Sequence, residues 1–187
     1  MLKLQEKYKK EVVPVMMKEF GYKNPMAVPK IEKVIINTSF GKLILGKTNE
    51  EQKKIQKAIL NDLALISGQG PVLTMAKKSI AGFKTRKGLA LGAKCTLRKK
   101  KMNDFLERLI NISLPRSRDF RGIGIESFDS KGNLTIGIKE HIYFSEISPE
   151  KVKNIFGFEI TIKTTAKTKE EGIELLKLLG FPIHPVK

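Results

Sequence analysis

Between Ala76 and Met102 the chain reads AKKSIAGFKTRKGLALGAKCTLRKKKM, and the rest of the sequence takes its meaning from this stretch. It carries Lys77, Lys78, Lys84, Arg86, Lys87, Lys94, Arg98, Lys99, Lys100 and Lys101, inside a window from Leu63 to Asn103 that holds no Asp or Glu. At the bulk composition a window of that length should contain roughly four acids, so positive charge is segregated along the chain and not merely abundant. A patch of that kind calls for a polyanion.

The stretch has two halves. From Ala76 to Gly92 it is punctuated by Gly82, Gly88 and Gly92, with a lone Phe83 among five cations, and reads as a long mobile loop. Such a loop is uncommon in a compact domain unless it has a function. From Ala93 the pattern alternates strictly, with Ala93, Cys95 and Leu97 on one side and Lys94, Thr96 and Arg98 on the other. Successive strand side chains point to opposite faces, so one face is apolar and the other offers two cations with a hydroxyl between them. A row of that composition can grip phosphate and ribose.

Composition agrees. With 187 residues and 41% apolar content the chain can bury one core without metal or disulfide help, and one domain over residues 1–187 is expected. The formal charge is +17, and six of the 36 basic residues are arginine, the others being lysines that act on phosphates as point charges. Nucleic acid is the leading partner and an anionic membrane surface the second. No apolar span or amphipathic membrane helix is evident, the N-terminal MLKLQEKYKK has no apolar signal core, and early Glu6 and Glu11 argue against a transit peptide. Cys95 is the single cysteine, which excludes an internal disulfide, implies a reducing compartment and reads as a buried inert thiol.

Elsewhere, Leu4, Tyr8, Val12, Val15, Met16 and Phe20 repeat at helical spacing up to Gly21, with Pro14 set to kink or divide the helix. KIEKVIINT is a strand with Val34 and Ile36 on one face and Lys33 and Asn37 on the other. Thr48 and Glu51 form a capping box for a helix with Ile55, Ile59, Leu63 and Ile66 inward, ended by Gly68. Pro71 to Met75 is a short strand. A third helix is expected from Asn103, with Phe105, Leu106, Leu109 and Ile110 inward, stopping before Pro115. Arg116, Arg118 and Arg121 against Asp119 make a second basic segment; Ile123 to Phe128 and Leu134 to Ile138 read as a hairpin around Asp129 to Gly132. His141 to Phe144 reads as irregular or as a short edge. Glu159 to Thr165 alternates, and Thr168 with Glu171 caps a last helix carrying Ile173, Leu176 and Leu179 and closed by Gly180. The strands outnumber regular crossovers, so an α+β fold is expected, with an antiparallel or mixed sheet, helices on one face and the long basic loop. Lys33, Asn37, Lys94, Thr96 and Arg98 would share the other face.

Gly41 to Thr48, GKLILGKT, fits the phosphate-loop pattern, with Lys47 and Thr48 in the roles of phosphate and magnesium ligands of a small nucleotide-dependent enzyme. Bulky Leu43, Ile44 and Leu45 suit such a cradle poorly, the preceding strand is polar on one face, and no second strand ends in a metal-binding Asp. The KGLA segment at Lys87 lacks the aromatics of an RNA-recognition strand, and His141 and His184 stand apart with no metal or acid-base cluster. Phe83 can stack on a base or anchor its own loop. A generic nucleic-acid-coating protein is the third reading.

KKSIAGFKTRKG, GAKCTLR and SLPRSRDFRG resemble the bacterial-type large-subunit ribosomal protein L-five family, as do KYKKEVVPVMMKEFGY, VPKIEKVIIN, ISGQGP, SFDSKGN, GIKEH and ITIKTTAKTKEEG, so that the likeness covers nearly the whole chain. The resemblance implies an antiparallel α+β fold, no enzymatic activity, no cofactor or metal, and a place in a cytoplasmic or organellar ribosome. It places Asn37, Gln69, Thr96 and Arg98 on a sheet-side surface for 5S rRNA, beside Lys33 and Lys94 of the same strands. It sends Lys77, Lys78, Ser79, Phe83, Lys84 and Arg86 of the basic loop toward the P-site tRNA. It brings the face from Arg118 to Gly132 near a small-subunit head protein, with large-subunit rRNA and neighbouring large-subunit proteins as further partners. The sequence departs from the family where Thr38, Ser39, Phe40 and Gly41 replace N-x-G-x-G spacing after Asn37, and where LRKKKM replaces LRGERM. PIHPVK after Phe181 has no assigned role.

Overall fold

The structure, a computed structural model, describes residues 3–118, 120–152 and 154–184. Its strands are β1 (Ile31–Ser39), β2 (Val72–Met75), β3 (Ala90–Leu97), β4 (Ile123–Gly124), β5 (Leu134–Ile138), β6 (Phe158–Thr164) and β7 (Ile183–His184). Five form one sheet in the order β2-β3-β1-β6-β5, and β4 pairs with β7. Val72 lies opposite Lys94 and Leu73 opposite Ala93 in an antiparallel ladder. Between β1 and β6, Thr165 N–H donates to Lys30 C=O at 2.9 Å and the Thr38 hydroxyl donates to Gly157 C=O at 2.7 Å, so rising numbers in one strand meet falling numbers in the other. Thr164 N–H donates to Asn133 Oδ1 at 2.9 Å, while Thr135 and Thr161 hydroxyls lie 3.4 Å apart, which sets β5 antiparallel to β6 as well. The fold is α+β, with an antiparallel sheet and helices on one of its faces.

The chain forms two compact units, one of Met1–Val34, Arg98–Ile136 and Thr161–Lys187, the other of Ile35–Leu97 and Gly137–Ile160. In the second, a helix α4 (Asn49–Ser67) follows the short α3 (Gly41–Ile44). Thr48 and Glu51 cap α4 reciprocally, and Gly68 takes the left-handed conformation that ends it. Ile55, Ile59, Leu63 and Ile66 are buried along one stripe, as are Ala93, Cys95 and Leu97 of β3, against which α4 packs. Each large side chain so buried stabilises the unit by about 1.5–3 kcal/mol before chain entropy is counted.

In the first unit the N-terminal helix runs as α1 (Leu4–Lys7), a π-helical turn Tyr8–Val12, and α2 (Val13–Phe20). It meets α5 (Lys99–Arg108), which continues through a second π-helical turn, Leu109–Ser113, into α6 (Leu114–Arg116). The last helix, α7 (Lys169–Leu179), carries the second capping box, Thr168 with Glu171, and buries Leu175, Leu176 and Leu179. Glu107 Oε1 accepts Leu4 N–H at 2.6 Å, and Tyr22 O–H donates to Glu171 Oε1 at 2.5 Å, tying α1 to α5 and the end of α2 to α7.

Several sequence expectations are corrected. The third helix begins at Lys99, four residues early, so Lys99 to Lys101 form its first turn; lysine is a good helix former and their side chains are exposed there. That helix also runs past Pro115. Both prolines that threatened a helix, Pro14 and Pro115, stand two residues after a π-helical turn. The widened turn relieves the clash between the pyrrolidine ring and the preceding carbonyls, and the proline falls in the first turn of the next helix, where no N–H is needed. β3 starts at Ala90, three residues before strict alternation begins. The expected hairpin reduces to one antiparallel bridge between Phe128 and Leu134; Ile123 and Gly124 instead pair in parallel with Ile183 and His184 of the tail. His141 to Tyr143 form a buried 3₁₀ turn. Ile110 and Ile173 are half-buried, not core. Asp119 lies outside the described residues.

Candidate nucleic-acid interface

Alternation in β1 buries Val34, Ile36 and Thr38 and leaves Lys33 and Ile35 half-buried and Asn37 and Ser39 exposed. In β3 it buries Ala93, Cys95 and Leu97, exposes Lys94, half-exposes Thr96 and is followed by exposed Arg98. Within the second unit, Asn37, Lys94 and Thr96 therefore stand on the solvent side of strands adjacent in the sheet. Lys33 and Arg98, in the first unit, are the half-buried and exposed cations at the corresponding strand ends.

Gln69 reaches the same strand by another route. Ser67 Oγ donates to Leu63 C=O at 2.7 Å and lies 2.8 Å from Gln69 C=O, which fixes the link leaving α4. From there Gln69 Nε2 donates to Thr96 C=O at 3.3 Å. The Cys95 S–H points at Gln69 C=O, 3.9 Å away, and the sulfur is buried, as expected for an inert thiol. The side chain read as a ligand contact is thus tied to the backbone of Thr96 by one end of its amide.

The basic loop between β2 and β3 is folded back on itself. Ala76 N–H donates to Leu89 C=O at 2.8 Å and Gly88 N–H to Ala76 C=O at 3.0 Å, closing its base. Ile80 and Thr85 exchange backbone bonds of 3.1 and 3.2 Å, and Lys84 turns the tip in the left-handed region. Lys87 N–H donates to Ser79 Oγ at 2.9 Å, so Ser79 holds the segment's shape while remaining exposed. Lys77, Lys78, Lys84 and Arg86 project into solvent with Phe83, which is 68% exposed and so does not anchor its own loop. Ile80, 48% exposed, joins Phe83 at the tip; its sequence signal is an apolar residue inside an acid-free loop.

The phosphate-loop pattern does not form a cradle. Gly41–Ile44 is a helical turn, Ile44 is buried, and Lys47 N–H donates to Ile44 C=O at 3.2 Å. The Thr48 hydroxyl is engaged with Glu51, whose carboxyl is held below the usual range by the Thr48 backbone and side-chain hydrogen bonds. Among the described residues no cluster of metal-ligating side chains occurs and no helix is long and apolar enough to cross a membrane. A second feature escaped the sequence: Lys163 Nζ stands 3.0 Å from Glu32 Oε2, an ion pair between β6 and β1.

Exposed cationic strands and a folded basic loop suit a protein that meets a polyanion, and the comparisons with known proteins make the class and the family specific. Residues 24–86 match the family described as "Ribosomal protein L5", and residues 90–183 match the separately described C-terminal part of that ribosomal family. The chain is 51% identical over 181 residues to the large ribosomal subunit protein uL5 of Halothermothrix orenii, covering 97% of this chain and 98% of that one. It is 52% identical over 184 residues to the protein of the same name from Geotalea daltonii, covering 98% and 99%, and 52% identical over 182 residues to that of Caldanaerobacter subterraneus, covering 97% and 98%. This chain belongs to the bacterial-type uL5 family of large-subunit ribosomal proteins. It is an rRNA-binding constituent of the ribosome and not an enzyme, which overturns the nucleotide-enzyme alternative at Gly41 to Thr48.

Proposed function

We propose that this protein binds 5S rRNA and helps attach it in the central protuberance of a cytoplasmic ribosome, with Asn37, Gln69, Lys94 and Thr96, and Lys33 and Arg98, as its RNA-contacting residues. The observation that carries the reading is that Lys94 and Asn37 are exposed, with half-exposed Thr96 beside them, on strands whose alternate residues form a core. Phosphate neutralisation by the cations supplies most of the affinity, through release of counterions, while Asn37 and Thr96 read ribose and shape. The whole chain, 1–187, acts as one RNA-binding domain.

Lys77, Lys78, Ser79, Phe83, Lys84 and Arg86 reach the P-site tRNA from the folded loop, and the face from Arg118 to Gly132 meets a small-subunit head protein. Large-subunit rRNA and neighbouring large-subunit proteins complete the surroundings. The direct test is a filter-binding titration of 5S rRNA against a generic RNA duplex at matched salt. Preferential binding of 5S rRNA is expected, and equal affinity for the two would replace this reading with a generic coating protein.

A further inference from the structure

In the second unit His141 is fully buried, its ring stacked on Phe156 with centroids 4.0 Å apart, and its Nδ1 accepts Phe156 N–H at 3.4 Å. In the neutral ring the proton therefore lies on Nε2. That N–H is buried without a hydrogen-bond partner and faces Asp62 Oδ2 at 3.6 Å, too far for a bond. An unsatisfied buried donor costs stability, so a purely structural pair would close this gap. The Asp62 carboxylate instead stays 27% exposed and lines a cavity of about 480 Å³ between α4 and the segment leading into β6. Ile55, Ala58 and Ile59 make one wall apolar, and Lys54, Asn61 and Asn154 bring polar ends around the carboxylate. Lys53, Lys54 and Lys57 are exposed on the same helix, where they would meet the phosphates on either side of a nucleotide lodged in the cavity.

A pocket of this size, with an apolar wall and a few convergent polar groups, suits one small planar ligand. Proteins that read RNA take unstacked bases by their Watson–Crick edges, and an ionised carboxylate can only accept hydrogen bonds. Guanine presents two neighbouring donors, N1–H and the N2 amino group. Adenine and cytosine set their amino group beside a bare ring nitrogen, whose lone pair repels a carboxylate, and uracil has one N–H between two carbonyls. Paired bonds to Asp62 are therefore open to guanine alone, with the Asn61 and Asn154 amides able to donate to its O6. We infer that this cavity takes an unstacked guanine of an RNA, with N1–H and the N2 amino group donating to the Asp62 carboxylate and His141 as the positioning residue that faces that carboxylate from the buried side. The inference rests on the RNA-binding role of the chain, and not on which RNA the strand cations hold.

The test titrates the protein with fluorescent RNA pentamers UUGUU, UUAUU, UUCUU and UUUUU, and with UUIUU carrying inosine, at matched salt and with anisotropy as the readout. UUGUU should bind about tenfold more tightly than the other three standard sequences, and UUIUU, which lacks the N2 amino group, should fall between. Asp62→Asn should lose the guanine preference while still binding UUUUU, and Lys54→Gln should weaken all five alike. His141→Phe should lower the ratio of UUGUU to UUAUU affinity, a selectivity that a merely structural histidine would leave unmoved. Thermal unfolding confirms that each variant folds. In the wild type, which needs no variant, the side-chain amide resonances of Asn61 and Asn154 should shift with UUGUU and not with UUAUU. Equal wild-type affinity for those two, or an unchanged preference in Asp62→Asn, overturns the inference; an unchanged ratio in His141→Phe overturns the part assigned to His141. If N-acetylarginine amide shifts the two amide resonances and UUGUU does not, the cavity takes a cation of a protein partner and the base site is overturned. Preference for 5S rRNA without preference for UUGUU loses the pocket alone, and the reverse leaves the pocket and removes the 5S assignment.

Discussion

The amide of Gln69 donates to the main-chain carbonyl of Thr96 across 3.3 Å, joining the link after α4 to the strand whose outer side carries Lys94 and Thr96. One end of this side chain is therefore committed to holding Thr96, and Gln69 positions its neighbour as well as presenting its own carbonyl oxygen. Gln69→Ala should lower stability by about 0.5–1.5 kcal/mol, read from urea midpoints. Gln69→Glu cannot donate to the Thr96 carbonyl and adds a negative charge beside Thr96. It should weaken 5S rRNA binding more than the alanine variant and make the salt dependence shallower; equal effects of the two would mean that Gln69 has no part in positioning.

Arg98 is exposed at the end of β3. Arg98→Ala should weaken 5S rRNA binding by about 1–3 kcal/mol, and a pure phosphate contact would also reduce the salt slope by about one. Unchanged affinity in a filter-binding titration removes Arg98 from the interface. Arg98→Lys separates a point charge from the planar fork: full rescue means that charge alone is read there.

Because its base is closed by backbone bonds between Ala76 and Leu89 and between Gly88 and Ala76, the basic loop is a separable appendage of the β2–β3 pair. Replacing residues 78–86 with a short turn should leave 5S rRNA affinity within about threefold, since the strand cations remain. Ribosomes carrying the shortened protein should hold P-site tRNA less well in a toeprinting assay. Abolished binding to isolated 5S rRNA would mean that the loop, and not the strands, makes the main contact.

The division between what the sequence disclosed and what it hid follows from the range of the interactions. Strand β1, the Thr48–Glu51 and Thr168–Glu171 caps, and the inner stripe of α4 are set by residues within a few positions of each other, so periodicity and cap chemistry expose them. The pairing of Ile123 with Ile183 joins two-residue strands far apart in the chain, too short to show any period. The bond from Gln69 to Thr96 and the pair of Glu32 with Lys163 depend on strand neighbours that composition does not specify. The passage of a helix through Pro115 needed a π-helical turn that has no sequence signature of its own. The exposed cations were legible for the opposite reason, because a strand that buries every second residue must display the others.

His141 is buried, stacks on Phe156 with ring centroids 4.0 Å apart, and sits with Nε2 3.6 Å from Asp62 Oδ2. Burial holds its pKa below the usual histidine value, against the opposing pull of Asp62 and the Phe156 backbone. In the unfolded chain it titrates near 6.5, so as pH falls below about 6.5 the unfolded state takes up the proton first and stability declines toward the depressed folded value. Asp62 is shifted upward by burial, so its contribution has the other sign and appears only nearer the carboxylate range. Between about pH 7.5 and 5.5 the histidine contribution dominates, and the urea midpoint of the wild type should fall. In His141→Phe, which keeps a ring against Phe156, the fall should be smaller; an equal fall in both proteins would assign the pH dependence to other groups.

Gly132 and Gly172 test whether backbone contact or helix propensity decides a substitution. Gly172 lies in the first turn of α7, where alanine would ordinarily favour the helix by about 0.5–1 kcal/mol. A Cβ there would come within 2.4 Å of both Gly132 Cα and the Gly132 carbonyl oxygen, and one on Gly132 would come within 2.8 Å of Gly172 Cα. These are backbone atoms, and the Thr164 hydroxyl donates to that same Gly132 carbonyl at 3.0 Å, so the loop cannot retreat without breaking the bond to β6. Overpacking of this kind costs about 1–3 kcal/mol, which exceeds the propensity gain. Gly172→Ala should therefore lower the thermal midpoint, and Gly132→Ala should lower it further, because φ +69° at that position adds backbone strain to the clash. A rise in the midpoint of Gly172→Ala would show that the two backbones separate at little cost.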